Sequence, residues 1–256
     1  MSKQILSYNV NGIRSAITKG FLSWLKDSSP DIICLQETKA SPDQLDTEIF
    51  KQLGYYNYWF SAQKKGYSSV AVFTKTKPDN IFYGLGIDKY DFEGRTIRLD
   101  FGDITLINSY FPSGTTGDVR QDFKMDYLSD FKKYVDKIKV ERPKIIISGD
   151  FNICHKPIDI NHPERHKNSS GFLPEERAWM DDFMESGFVD SFREFNTDPN
   201  QYSWWSYRAG SRNKNLGWRI DYHLISQSLR SHLIGAEILS NVKHSDHCPV
   251  KIDLKF

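Results

Sequence analysis

The stretch Lys-Ile-Ile-Ile-Ser-Gly-Asp-Phe-Asn at residues 144–152 constrains the fold more than any other part of the chain. Three consecutive isoleucines just after Pro143 read as a strand buried on both faces, since successive strand side chains point to opposite sides. Gly149 lets the backbone pass closely, and Asp150 and Asn152 leave the strand end on one side. A tight turn uses the same Gly-Asp-x-Asn residues, so the stretch alone leaves both readings open. The site reading gains because an acid at or beside an apolar β-like run recurs at Glu37, Asp221 and Asp246.

Taken in order, the chain predicts strands at 4–9, 31–37, 55–60, 68–74, 95–101, 104–110, 145–152, 201–205, 218–225, 236–239 and 249–254. Helical spacing marks 17–26 and 174–186, and Ser41-Pro42 reads as an N-cap with proline opening a helix to about residue 53. A long helix follows the loop at 111–118. It carries Phe123, Tyr127, Phe131, Tyr134 and Ile138 on its core face, with lysines and acids outward. There is no linker and no low-complexity segment. The pattern predicts one α/β domain over residues 1–256, with two sheets packed face to face and helices outside.

Composition narrows the function. A hydrophobic fraction of 39% in 256 residues excludes a disordered chain. The net charge of +1 excludes a global basic field, so any nucleic-acid surface must be a local patch. Cys34, Cys154 and Cys248 lie far apart and read as small buried residues rather than a disulfide or zinc framework. The N-terminus shows no signal peptide, and no apolar run reaches the ~18 residues of a membrane span. A cytoplasmic (intracellular) location is expected, nucleoid-associated in a bacterium.

If the four acids converge, they form an oxygen-rich cleft with His247 and several carboxamides. That donor set suits Mg2+, with Mn2+ able to substitute. His244-x-x-His247 lacks a third soft ligand for zinc, and His162 and His166 read as solvated. Carboxylates, one histidine and a divalent cation without a covalent nucleophile point to hydrolysis of a phosphate ester.

These residues also form an ordered set of motifs: Ser7-Tyr-Asn9-Val-Asn11-Gly12-Ile-Arg14, Leu35-Gln-Glu37-Thr-Lys39, Ser109-Tyr110-Phe-Pro112, Gly149-Asp150-Phe-Asn152, Gly217-Trp218-Arg-Ile-Asp221-Tyr222 and Ser245-Asp246-His247-Cys-Pro249. The set resembles the exonuclease III family of abasic-site (AP) endonucleases, in the DNase I-like endonuclease/exonuclease/phosphatase superfamily. Glu93-Gly94-Arg95 and Gly171-Phe-x-Pro174-x-Glu176-Arg177 point to its DNA-repair branch. The resemblance implies a four-layer α/β sandwich and a metal-dependent phosphodiesterase of base excision repair. Such an enzyme cuts DNA 5′ to an abasic site and carries 3′-phosphodiesterase and 3′–5′ exonuclease activity.

It further implies a metal site drawn from Asn9, Glu37, Asp150, Asn152, Asp246 and His247. Catalysis would fall to Asp150 with Asn152, to His247 oriented by Asp221, and to Tyr110. Trp204, Trp218 and Ile220 would line the sugar pocket and Arg208 would enter the duplex. Arg14, Tyr67, Arg120 and Lys214 would contact DNA. The basic run at 207–219, with Arg208, Arg212, Lys214 and Arg219, supports this, although a solvated basic loop has the same composition. The expected partner is double-stranded DNA with abasic sites or blocked 3′ ends, met by a monomer and not a membrane. Asn11 stands where some relatives have Asp, and Ser113 where relatives carry a longer amide. A lipid, inositol phosphate or undamaged nucleic acid is the competing substrate, and a catalytically dead DNA-binding scaffold the other class.

Overall fold

The computed structural model describes residues 2–256. The chain first lays down β1 (Ser2–Asn9), β2 (Ile32–Gln36), β3 (Tyr56–Phe60) and β4 (Val70–Thr74) of one sheet. It then builds a second sheet from β5 (Asn80–Tyr83), β6 (Thr96–Phe101), β7 (Ile104–Tyr110), β8 (Lys144–Asp150), β9 (Phe188–Asp190) and β10 (Asp221–Ser226). Finally β11 (Leu233–Ile238) and β12 (Val250–Lys255) return to complete the first. The strand orders are β11-β12-β1-β2-β4-β3 and β5-β6-β7-β8-β10-β9. Only β1/β2 and β7/β8 pair in parallel, and each of these pairs lies at the middle of its sheet.

Alternation along the strands explains the layering. Leu6, Tyr8, Ile33, Leu35, Ala71 and Phe73 point outward from the first sheet and pack on α1 (Ile13–Thr18), α2 (Phe21–Ser28) and α3 (Glu48–Gln52). Their neighbours Ile5, Cys34, Val70 and Val72 point inward and meet Ile97, Leu99, Leu106, Ile146 and Ile225 of the second sheet. On the far side, Ile107, Ile145, Ile147, Tyr222 and Leu224 pack on α5 (Asp118–Glu141) and α6 (Pro174–Glu185), with Tyr90 of the short α4 (Asp88–Asp91) joining them. The result is the expected four-layer α/β sandwich. Ile146 faces the other sheet while Ile145 and Ile147 face the helices, so the isoleucine triplet belongs to two cores at once. Burying each fully contributes roughly 1.5–3 kcal/mol. All three cysteines are buried and free. No helix among the described residues is long and apolar enough to cross a membrane.

Several local expectations are corrected. The helix expected at 17–26 is two helices, because Gly20 takes a left-handed φ of 96° between α1 and α2. The segment 41–53 opens with a 3-10 turn, capped by Ser41 and Gln44, and becomes α-helical only at Glu48. Residues 201–205 form no strand; Trp204 makes single bridges to Trp218 and His247 instead. Among the lysines expected outward on α5, Lys124 is wholly buried.

Toward one end of the sandwich the inter-sheet core turns polar. Gln36 donates to Asn108 at 2.7 Å, Asn108 donates to the carbonyls of Leu35 and Ala71, and Ser148 pairs with His223 at 2.7 Å. Burial holds His223 down at about 4, so it is a neutral spacer at physiological pH. This layer leads directly to the strand ends that carry the acids.

Candidate active site

Register brings the site together. Tyr110 pairs across β7/β8 with Asp150, and Asp150 pairs across β8/β10 with Asp221. Asn9 ends β1 and Glu37 follows β2 directly. Gly149 is what allows the approach, since a Cβ there would lie 1.9 Å from the Ser109 carbonyl oxygen. Asn9 Nδ2 donates to Glu37 Oε1 and to Asp150 Oδ2, each at 2.8 Å. The Asn152 backbone N–H donates to Asp150 Oδ1 at 2.8 Å, while its carboxamide donates to the Phe111 carbonyl. His247 Nδ1 and Ser203 Oγ both approach Asp221 Oδ2, at 2.8 and 2.6 Å, and His247 Nε2 faces Asp150 Oδ2 at 3.9 Å. The loop backbone is left-handed at Asn11, Glu37, Lys39 and Asn152. For Glu37 and Lys39 that costs roughly 1–2 kcal/mol each, a strain typical of a site fixed by its surroundings.

The electrostatics are unbalanced. Burial raises Asp150, Asp221 and Glu37 raise it further, and His247 only partly offsets them, so the carboxyl reaches about 7. Burial opposes charge on His247, but Asp221, Asp150 and Asp246 override it and push the imidazole up to about 10. Glu37 is raised by burial yet ends below the ordinary carboxylate range, because Lys39 lies 2.8 Å from Oε2 and Asn9 donates to it. Tyr110 is driven far up by burial and by the Glu37 and Asp150 charges, so its hydroxyl keeps its proton.

Four carboxylates, Glu37, Asp150, Asp221 and Asp246, thus crowd a site where, among the described residues, Lys39 and His247 are the cations paired with them and Lys124 acts on Asp150 from farther off. Ligand atoms of Glu37, Asp150 and His247 all lie within 4.8 Å of one another. Because His247 is charged and held by Asp221, the ligands left in this cluster are carboxylate oxygens, and these with the excess negative charge fit a hard divalent cation. Asp246 stands outside that cluster. It is held by Asn11 Nδ2 at 2.9 Å and Trp204 Nε1 at 3.0 Å. Asn11 Oδ1 in turn accepts from Lys39. An aspartate at position 11 could accept from Lys39 but could not donate to Asp246, so the carboxamide found here suits the link between the Glu37 loop and the Trp204 loop.

The same cleft, about 550 Å³, is lined by Glu37, Tyr110, Asp150, Asp246 and His247 on one side and Trp204, Trp218 and Ile220 on the other. The two indoles meet edge to face at 5.9 Å. Ser113, Thr115 and Ser169 add hydroxyls to its rim. His166, expected in solvent, lies against Trp218 at 5.1 Å and lines the cleft. Lys39 and Ser203 are further site residues that patterning missed. Lys39 was within reach, two residues from the acid; Ser203 and His166 carry no local mark.

The expected DNA contacts separate. Arg14 and Arg208 are exposed. Arg120 and Tyr67 are joined, with Arg120 gripping Glu93 at 2.6 Å and donating to the Tyr67 hydroxyl at 2.8 Å. The basic run at 207–219 is not one surface. Arg212 donates to the carbonyls of Ser245, Ser240 and Val242, and Arg219 is buried against Asp159 and Asp190. Lys214 lines a separate hollow of about 530 Å³ with Asn161 and Tyr202.

Comparison with known proteins agrees with this geometry. The profile of the Endonuclease/Exonuclease/phosphatase family matches residues 6–247. An exodeoxyribonuclease of Bacillus subtilis is 43% identical over 97% of this chain and 98% of its own length. The DNA repair nuclease APEX1 of Danio rerio is 38% identical over 98% of this chain and 82% of its own. An AP endonuclease structure from Archaeoglobus fulgidus superposes with a TM-score of 0.90 at 29% identity, covering 99% of this chain and all of that one. The chain belongs to the endonuclease/exonuclease/phosphatase family, in its exonuclease III-type AP endonuclease branch.

Proposed function

We propose that the protein is a Mg2+-dependent AP endonuclease that hydrolyses the DNA phosphodiester 5′ to an abasic site and trims 3′ ends with the same machinery. The observation that carries this reading is the cluster of Glu37, Asp150 and His247 within 4.8 Å, set beside a pocket walled by Trp204, Trp218 and Ile220. Glu37, oriented by Asn9, would hold the cation together with Asp150. Bound there, Mg2+, or Mn2+ in its place, would neutralise phosphate charge and stabilise the crowded oxyanion.

The chain's own residues supply the rest. Asp150 takes the proton of the attacking water, with Asn152 fixing the carboxylate's direction. His247, charged through Asp221, donates from Nε2 to the scissile phosphate, and the bond to Asp221 fixes which nitrogen faces the cleft. Tyr110 keeps its proton and donates to the phosphate or the departing 3′ oxygen. The indole pocket takes the bare deoxyribose, and Arg208, Arg14 and the Tyr67–Arg120 pair meet the duplex around it. A single catalytic domain acting as a monomer is part of this reading.

The test is incision of a labelled duplex with one tetrahydrofuran abasic analogue, with Mg2+ and with EDTA, beside an intact duplex. One Mg2+-dependent cut 5′ to the lesion, with the intact strand cut slowly from its 3′ end, is expected. Equal internal cutting of both duplexes would make the protein a general nuclease and remove the pocket argument.

A further inference from the structure

Lys124 is an ammonium on α5 with no exposed surface, paired with an equally buried Glu176 on α6. A hydrophobic residue at this position would continue the core face that Tyr127, Leu128 and Phe131 begin. Burying two charges in its place costs several kcal/mol before their attraction is counted, so packing does not explain the pair.

What the pair reaches explains it better. Lys124 Nζ donates to Glu176 Oε1 at 2.5 Å and to the Asn152 carbonyl at 2.8 Å. Glu176 Oε2 accepts the backbone N–H groups of Gly171 and Leu173, at 2.7 and 2.9 Å. Its Oε1 also accepts from Gln121 Nε2 at 3.1 Å and Ser170 Oγ at 3.3 Å. Ser170 and Gly171 form the cleft wall behind Trp218, where a Cβ on Gly171 would lie 2.8 Å from the indole. Asn152 stands at a left-handed φ of 52° and holds Asp150 through its own N–H. One buried ion pair therefore grips the backbone on both sides of the chemistry.

We propose that Lys124 and Glu176 are positioning residues that fix the Asn152 peptide against Asp150 and the Ser170–Gly171 wall against Trp218, tying the placement of the attacking group to the width of the sugar pocket. This rests on the AP endonuclease reading above. It also gives the Gly171-Phe-x-Pro174-x-Glu176 motif a task beyond starting α6. Neither residue touches substrate.

The experiment compares wild type with the apolar pair K124M/E176L and with the isosteric single variant E176Q, on abasic and intact duplexes with Mg2+. The apolar pair removes both charges together but leaves the Gly171 and Leu173 N–H groups and the Asn152 carbonyl without these partners, so its melting temperature is expected to fall and kcat is read per folded molecule. Its kcat on the abasic duplex is expected to fall about 100-fold, the scale of an ångström-sized misplacement. Its Kd for intact duplex, set by the flanking contacts, should hold within threefold. E176Q keeps an acceptor for the wall but strips Lys124 of its counter-ion. It should lose about tenfold in kcat, and it carries the test if the apolar pair does not fold. A merely structural pair would leave kcat per folded molecule within threefold of wild type in whichever variants fold, and that result overturns the proposal. A wild type that ignores the abasic duplex would instead overturn the reading beneath it, so the two failures are distinct.

Discussion

Asp150 and Asp159 stand nine residues apart in the chain, and each is 1% exposed, yet their electrostatics are opposite. Asp159 overcomes burial because Arg219 at 2.8 Å and Arg193 at 2.6 Å supply positive charge, holding its carboxyl at about 2. Asp150 has Asp221 and Glu37 for neighbours, His247 and the Asn152 N–H offset burial and these charges only in part, and it rises to about 7. The chain completes the first site itself. It leaves the second short of a cation. A buried carboxylate whose counter-charge is not supplied by the fold is a candidate for chemistry; one that is fully paired is a structural joint.

The largest effect that can break this comparison is on turnover. Asp150→Asn should lower kcat on an abasic duplex by about 10³-fold, within the span general-base removal produces. It should leave DNA affinity intact and keep the metal-free melting temperature equal or higher, since it removes a crowded charge. Incision kinetics and thermal melts read both. Near-normal turnover would remove Asp150 from the mechanism.

Asp159→Asn should do the reverse. It strips one of the two counter-charges from buried Arg219, leaving Asp190 alone with it, and should destabilise the fold by about 3 kcal/mol. Turnover per folded molecule should stay within threefold of wild type. Denaturant melts paired with active-site titration separate the two effects. A stable but inactive variant would mean that the joint reaches the chemistry after all.

The same aspartate gives a pH window. Its folded carboxyl lies below the unfolded value of about 3.9, so its stabilisation is fully present above pH ~4 and is lost as pH falls toward 2. The shift is worth about 2 kcal/mol. Wild type should therefore lose most of that, about 1.6 kcal/mol, more than Asp159→Asn between pH 4.5 and 2.5. Parallel acid melts would contradict the assignment.

The contrast also explains what could be read before any coordinates. Strands announce themselves through alternation, so Glu37, Asp150 and Asp221 were legible as acids at or beside apolar runs, while Asn9 and Tyr110 entered through the family resemblance. Asp246 and His247 came with the strand that follows them. Loops carry no period. Arg212, Lys214 and Arg219 look alike in sequence, and only the fold sends one to carbonyl caps, one to a separate hollow and one to buried aspartates. His166 and Lys124 fail for a related reason, because a polar residue in a polar loop or on an amphipathic helix has a solvated reading that local pattern cannot remove. The helix breaks at Gly20 and before Glu48 are small shifts of the same kind, where a left-handed glycine or a 3-10 turn interrupts an unbroken apolar period.

The smallest effects lie on the basic loop, where the distinction between completed and uncompleted charges applies to cations as well. Arg212 already satisfies three backbone carbonyls and Arg219 two aspartates, so neither is free for phosphate. Arg208 is exposed, and Lys214 lines the other hollow. Arg208→Ala should weaken binding to an abasic duplex about tenfold, the ~1–2 kcal/mol of a charged contact. If the contact is to phosphate, the salt slope of log K should fall by about one. Lys214→Ala should change affinity less than twofold, because the residue meets no strand running through the catalytic cleft. Salt-titrated binding curves for both variants decide it. If Lys214→Ala loses as much as Arg208→Ala and shows the same drop in slope, the DNA path extends over the second hollow, and the division of this loop into bound and free cations must be redrawn around it.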